Sequence, residues 1–244
     1  MKLNNKFNPQ NKPMFVLCGG LGTRLKESLG DVPKSLAPIN GKPFLEYLLK
    51  HWTKNRINHY VFLLGHKAKQ IHEYLQQANI EIFPDCKFEY IVEEESLGTG
   101  GAIANALEVL KFNGEFFVIN SDTWLSAGLE SFLEAKSPAI GVVFQNDTKR
   151  YGILELSDDN KISSFKEKSE ASNSGFINSG LYLFNSNLFL DWDKKPCSIE
   201  ETYLTQFAKQ GKLTGVYLET SFIDIGIPKD YNYFKNNFMK ITNE

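Results

Sequence analysis

The stretch Cys18-Gly19-Gly20-Leu21-Gly22-Thr23-Arg24-Leu25, answered a few residues later by Val32-Pro33-Lys34-Ser35-Leu36-Ala37-Pro38, decides how the rest of the chain is read. The apolar run Met14-Phe15-Val16-Leu17 leads into it and predicts a buried strand. Three glycines within four positions remove side chains where the backbone must turn sharply and come close to something. Backbone N–H groups freed in such a turn can cradle phosphate, and the positive end of a following helix adds to them. Arg24 and Lys34 then supply two cations. Glycine donors plus fixed cations describe a site for a polyphosphate under attack. The spacing is neither G-x-G-x-x-G nor the Lys-Ser/Thr-terminated phosphate loop.

Bulk properties fit a single well-cored domain. The chain has 244 residues, 42% of them hydrophobic, and 27 basic against 29 acidic residues give a net charge of -2. That balance offers no nucleic-acid or membrane surface, and the apolar runs are far too short to span a bilayer. Residues 1–13 are polar and asparagine-rich, without the apolar core of a signal peptide, and read as a flexible lead-in to a cytoplasmic product. Cys18, Cys86 and Cys197 fit neither a zinc pattern nor a disulfide framework.

Outward from the glycine stretch, strands and helices alternate. Residues 43–55 carry Leu45, Leu48, Leu49 and Trp52 at helical spacing, with Pro43 at the first helical position. A strand at 59–64, a helix at 68–77 and a strand at 88–92 follow. A second glycine turn, Ser96-Leu97-Gly98-Thr99-Gly100-Gly101, opens a helix at 102–110, and an apolar strand at 116–120 ends at Ser121-Asp122. This alternation predicts a Rossmann-like α/β fold: a mixed, mostly parallel sheet flanked by helices, with ligands at the carboxyl ends of its strands. After a short helix at 129–135 the chain turns β-rich, with strand-like segments at 139–145, 151–157, 161–168 and 176–184. Ser198 and Glu201 form a capping box for a helix to about residue 209, a strand spans 213–218, and an aromatic-rich helix spans 228–241. The expected organisation is one domain over 14–244, with an alternating α/β part at 14–135 and a β-rich part with the closing helix at 136–244 that carries the second substrate.

Three groups of side chains carry chemistry in this frame. Arg24 and Lys34 suit the screening and alignment of phosphates. Asp122, at a strand end, and Asp224, in Asp-Ile-Gly, offer hard oxygens of the kind magnesium takes, although each alone also suits a cap or a turn. Glu93 and Glu94 end a strand beside the second glycine turn. An ionised carboxylate only accepts hydrogen bonds, and guanine presents two neighbouring donors where uracil and thymine present one, so a carboxylate here favours guanine.

Gly19-Gly20-Leu21-Gly22-Thr23-Arg24-Leu25 with Pro33-Lys34 and Pro38 resembles the signature of the sugar-1-phosphate nucleotidyltransferases, over about residues 14–231. Together with Asn40-Gly41-Lys42-Pro43-Phe44-Leu45 and Ser96-Leu97-Gly98-Thr99-Gly100-Gly101-Ala102, the strings most resemble the branch that joins GTP to D-glycero-α-D-manno-heptose 1-phosphate. The resemblance implies the nucleotidyltransferase fold, Mg²⁺ held by Asp122 and Asp224, and catalytic roles for Arg24 and Lys34. It implies nucleotide contacts from Leu17, Gly19, Gly20, Gly22, Thr23, Glu93, Glu94, Gly98 and Thr99. Sugar-phosphate contacts would come from Gly152, Glu167, Lys168 and Asn178. The implied products are GDP-heptose, for bacterial capsule or surface glycans, and pyrophosphate, and a homodimer is a family-level expectation. Ser121 stands where the family usually has a glycine. The rival readings are a mannose-1-phosphate guanylyltransferase, a pyrimidine-nucleotide transferase and, from another class, a non-catalytic nucleotide- or sugar-binding module. Retention of Arg24, Lys34 and both aspartates argues for turnover.

Overall fold

The computed structural model describes residues 12–20, 22–25, 29–166 and 174–242. Strand β1 (Met14–Leu17) is followed by helix α1 (Phe44–Lys54), β2 (His59–Leu64), α2 (Ala68–Glu81) and β3 (Lys87–Val92). The three strands are parallel neighbours in the order β1-β2-β3, with Phe15 opposite Val61 and Val61 opposite Glu89. Met14, Phe15 and Val16 have no exposed surface, and α1 buries Leu45, Leu48, Leu49 and Trp52, the residues its periodicity marks. Pro43 does not open α1 as N1. It precedes the helix in extended backbone, after a two-residue ribbon of Pro38–Ile39 with Lys42–Pro43.

Helix α3 spans Gly98–Leu110, four residues earlier than its sequence predicts, because the glycines form its first turn instead of leading into it. Then come β4 (Glu115–Asn120), β5 (Thr123–Leu125), β6 (Ala139–Gln145), β7 (Ile153–Leu156), β8 (Ile162–Lys166) and β9 (Gly175–Asn185). The predicted helix at 129–135 is a 3-10 turn, Leu129–Phe132. Ser198 caps a wide π turn, Ile199–Leu204, that continues as α4 (Thr205–Lys209). Its hydroxyl accepts from Glu201 N at 3.3 Å, while the carboxylate that meets it is that of Glu200, at 2.9 Å. Strands β10 (Thr214–Tyr217) and β11 (Phe222–Asp224) precede α5 (Pro228–Asn236), which starts on its proline, and α6 (Phe238–Thr242). The single closing helix expected over 228–241 is broken at Asn237, which leaves the helical region.

The chain forms two compact units, and it passes between them four times. One comprises residues 1–96, 119–126 and 221–244; the other comprises 97–118 and 127–220. The first holds the parallel strands, and its closing helices return to α1: Phe234 meets Phe44 edge-on at 5.2 Å, and the Tyr231 hydroxyl donates to Pro38 O at 2.6 Å. The second is built on β9, antiparallel to β6 and β7, with β8 on β7 and β10 parallel to β6. A bulge between Asn178 and Tyr182 shifts the register of β9, at Gly180 with φ +75°. Phe184, Phe189, Phe116 and Tyr203 form its aromatic core. The α/β class and mixed sheet expected from the sequence are the ones observed.

Candidate active site

In the first unit the signature stretch leaves β1 at Leu17, which pairs with Leu63. Cys18 N still donates to Leu63 O at 2.9 Å, so the ladder runs one residue past the strand. Gly19 and Gly20 are exposed, and Gly22 takes φ +61°, a conformation open to glycine. Gly22 O accepts from Leu25 N at 3.1 Å, closing the 3-10 turn Thr23–Leu25 that displays Arg24 on the surface. Lys34 begins a second 3-10 turn, Lys34–Leu36, set by the extended Pro33.

Lys34 is the centre of the charged cluster. Its Nζ is ion-paired with Asp122 and lies 3.6 Å from Asp224 Oδ1, with all three side chains mostly buried. A short antiparallel ribbon brings the two aspartates together. β5 pairs with β11 so that Asp224 sits opposite Thr123, the neighbour of Asp122. Ile225 N donates to Asp122 O at 2.9 Å, and the Thr123 hydroxyl donates to Asp122 Oδ1 at 3.2 Å. Gly226 N donates to Asp224 Oδ1 at 2.7 Å. A methyl group on Gly226 would lie 2.6 Å from Asp224 Oδ1 and collide with Lys34 Nζ, so a side chain there must displace the ends of these charged groups. Thr123 and the pairing of the ribbon escape the sequence reading, because each strand is three residues long and its partner is remote in sequence.

Ser121, in place of the usual glycine, is accommodated without loss of the carboxylate beside it. It is buried, its N donates to Leu17 O at 3.2 Å, and its side chain hydrogen-bonds the Cys18 thiol. Burial pushes that thiol up to about 12, the Ser121 hydrogen bond only partly opposing it and the Asp122 charge adding to it. Cys18 is therefore a protonated core residue, not a nucleophile.

A cavity of about 240 Å³ is lined by Gly20, Gly22, Pro33, Lys34, His66 and Lys67, among others. Lys67, in left-handed backbone at the start of α2, holds Asp31 Oδ1 at 2.9 Å. The hydrogen bond and charge of Lys67 keep the Asp31 carboxyl below its ordinary range. Neither His66 nor Lys67 is marked by the sequence, since a lysine after a strand carries no motif.

Of the two candidate glutamates, Glu93 is half-buried and Glu94 is exposed. Glu93 N donates to Leu64 O at 2.8 Å, and its carboxylate leans over Gly65.

In the second unit, Gly98 has φ +69° and the turn docks on the segment before α4. Gly100 N and Gly101 N donate to Cys197 O at 2.9 and 3.3 Å, and the Thr99 hydroxyl accepts from Ile199 N at 2.8 Å. Side chains at 98, 100 or 101 would press on Cys197, Tyr203 or Leu97. Asn178 donates to the Tyr182 hydroxyl at 2.7 Å and accepts from Gly180 N at 2.8 Å, and Gly152 is half-buried. Glu167 and Lys168 lie outside the described residues.

Among the described residues no three His, Cys, Asp or Glu side chains stand together as a metal cluster. Two carboxylates are what magnesium takes when phosphates and water complete its shell; in this structure the Lys34 ammonium stands between Asp122 and Asp224. No helix among the described residues is long and apolar enough to cross a membrane.

A glycine loop at a strand end, a lysine between two aspartates and parallel strands define a phosphate-handling α/β protein, and a nucleotidyl transferase family model matches residues 14–240: the chain belongs to that family. Its relatives narrow the field. The chain is 36% identical over 224 residues to the D-glycero-alpha-D-manno-heptose 1-phosphate guanylyltransferase of Campylobacter jejuni subsp. jejuni serotype O:2, covering 91% of this chain and 98% of the relative. It is 32% identical to the protein of the same name from Aneurinibacillus thermoaerophilus, covering 89% and 94%. Among solved structures it is similar to HddC from Yersinia pseudotuberculosis, at 35% identity and a TM-score of 0.80, covering 93% of this chain and 99% of that one. The same protein has also been solved in complex with GMP-PN.

Proposed function

We propose that the protein transfers GMP from GTP to D-glycero-α-D-manno-heptose 1-phosphate. An oxygen of the sugar phosphate forms a bond to the α-phosphorus of GTP. The bond from that phosphorus to the bridging oxygen breaks, and pyrophosphate leaves with the electron pair. The nucleophile is already anionic, so the enzyme needs no general base. Its work is to hold two anions together and to meet charge developing on the α-phosphate.

The observation that supports this chemistry best is Lys34, packed between Asp122 and Asp224 and fixed by Gly226. Mg²⁺, when bound by the two carboxylates, would supply positive charge to the phosphates. Lys34 is then a cation aimed at phosphate from a largely buried position, and Arg24 adds a second from the signature turn. Gly19, Gly20, Gly22 and Thr23 offer backbone donors, and Glu93 accepts from guanine. The sugar phosphate falls to the 136–244 section, through Gly152, Asn178, Glu167 and Lys168. GDP-heptose made in the cytoplasm would supply surface-glycan assembly.

A substrate matrix tests the reading. GTP, UTP, dTTP and ATP are each paired with heptose, mannose and glucose 1-phosphates, and pyrophosphate release is followed. The expected result is highest kcat/KM for GTP with the heptose phosphate. Preference for mannose 1-phosphate, or for a pyrimidine triphosphate, would reassign the substrate within the family. Binding without turnover for every pair would sink the enzyme reading.

A further inference from the structure

Gly65 follows β2 directly, and nothing in its own backbone calls for a glycine. Its φ is not among the positive values of this chain. Its carbonyl simply accepts from Ala68 N at 3.1 Å. The reason for glycine is space. A Cβ at 65 would lie 3.2 Å from Gly19 Cα, 3.5 Å from Gly19 O and 3.4 Å from Glu93 Oε2. The first of these is closer than side chains normally approach a backbone atom, and that backbone atom belongs to the signature stretch.

The three residues stand in a row across the carboxyl ends of adjacent parallel strands. The bonds Cys18 N to Leu63 O, at 2.9 Å, and Glu93 N to Leu64 O, at 2.8 Å, carry the ladder just past the strands and lock that row. The row is not core: Gly19 is exposed, and Gly65 and Glu93 are half-buried. The missing side chain in the middle leaves open the space that a Cβ would fill between the Gly19 backbone and the Glu93 carboxylate.

We infer that Gly65 is a positioning residue for base choice, setting the separation between the Gly19 backbone and the Glu93 carboxylate. This rests on the reading of Glu93 as the acceptor for the guanine donors. A methyl group at 65 displaces one side of that pair by a few tenths of an ångström. A base read by both sides loses more from that displacement than a base that does not use the carboxylate. The effect is on discrimination first and on turnover second.

The experiment is a cycle of kcat/KM values for GTP and UTP with one sugar phosphate. It covers the unaltered protein, Gly65→Ala, Glu93→Gln and the double variant, with thermal melts of each. Gly65→Ala should lower kcat/KM for GTP by roughly tenfold, the equivalent of ~1.4 kcal/mol, and change that for UTP by much less, at a nearly unchanged Tm. In the Glu93→Gln background the same substitution should narrow the preference no further. Equal losses for the two nucleotides would overturn the inference, as would continued narrowing without the carboxylate. Glu93→Asp provides a route that does not touch Gly65: it withdraws the carboxylate by one methylene and should narrow the preference too, and an undiminished GTP preference there would count against the spacing argument. If Glu93→Gln alone leaves discrimination intact, it is the reading of Glu93 that fails. If Glu93→Gln narrows discrimination and Gly65→Ala does not, only the role of Gly65 fails.

Discussion

At the scale of single residues, the site turns on where one ammonium group sits. Lys34 Nζ is pinned by two carboxylates, and Gly226 leaves the room for it. The atoms a new side chain at 226 would strike are the ends of the Lys34 and Asp224 side chains, so the fold can absorb the change by moving them. If Lys34 acts on phosphate as proposed, Gly226→Ala should therefore keep the Tm close to that of the unaltered protein while kcat falls by about 10–100-fold, the size of loss that displacing a reacting group by about an ångström brings. Thermal melting and steady-state kinetics on the same preparation check this, and an unchanged kcat would mean that the position of Lys34 is not critical. Lys34, Asp122 and Asp224, which the structure brings together, could be singled out in the sequence because a lysine after a proline, an aspartate at the end of an apolar strand and an aspartate before a glycine are local signals. Thr123 and Gly65 were not. What they do depends on neighbours from strands distant in the chain, and neither sits in a motif.

At the scale of elements, apolar periodicity located the strands of four residues or more and the main helices, since burial on one face leaves a pattern in any window of a dozen residues. It failed where tertiary contact overrode local preference. The glycines of α3 read as a turn, yet they are helical because Cys197 O satisfies two of their N–H groups and leaves no room for side chains. Helix α1 gives a testable case of an element held by charge as well as by its apolar face. Glu46 is 5% exposed, yet its carboxylate meets Lys50 at 2.8 Å, Lys42 at 3.3 Å and the Tyr74 hydroxyl at 3.1 Å, which ties α1 to α2. Burial pushes this carboxyl up, but the partners outweigh it and hold it below the ordinary value of 4.5. A depressed carboxyl contributes stability above its unfolded pKa, and that contribution drains away as pH falls through the folded value. Glu46→Gln should destabilise the protein at pH 7 by about 1–3 kcal/mol, with the difference shrinking toward pH 3. Urea unfolding at several pH values measures it, and a difference independent of pH would assign the effect to packing alone.

At the scale of the whole molecule, the sequence placed the family and the α/β class correctly. Residues 119–126 and 221–244 join the first unit because the β5–β11 ribbon and the closing helices pack there, a pairing no local window reveals. The central claim is a transfer that Lys34 and a bound divalent ion make possible. Phosphorus NMR of the purified protein with GTP, D-glycero-α-D-manno-heptose 1-phosphate and Mg²⁺ tests it directly. The account predicts that the three GTP signals give way to those of GDP-heptose and pyrophosphate in equal amounts, and that EDTA or Lys34→Ala stops the conversion. Unchanged GTP signals, inorganic phosphate in place of pyrophosphate, or full conversion in the presence of EDTA would contradict it.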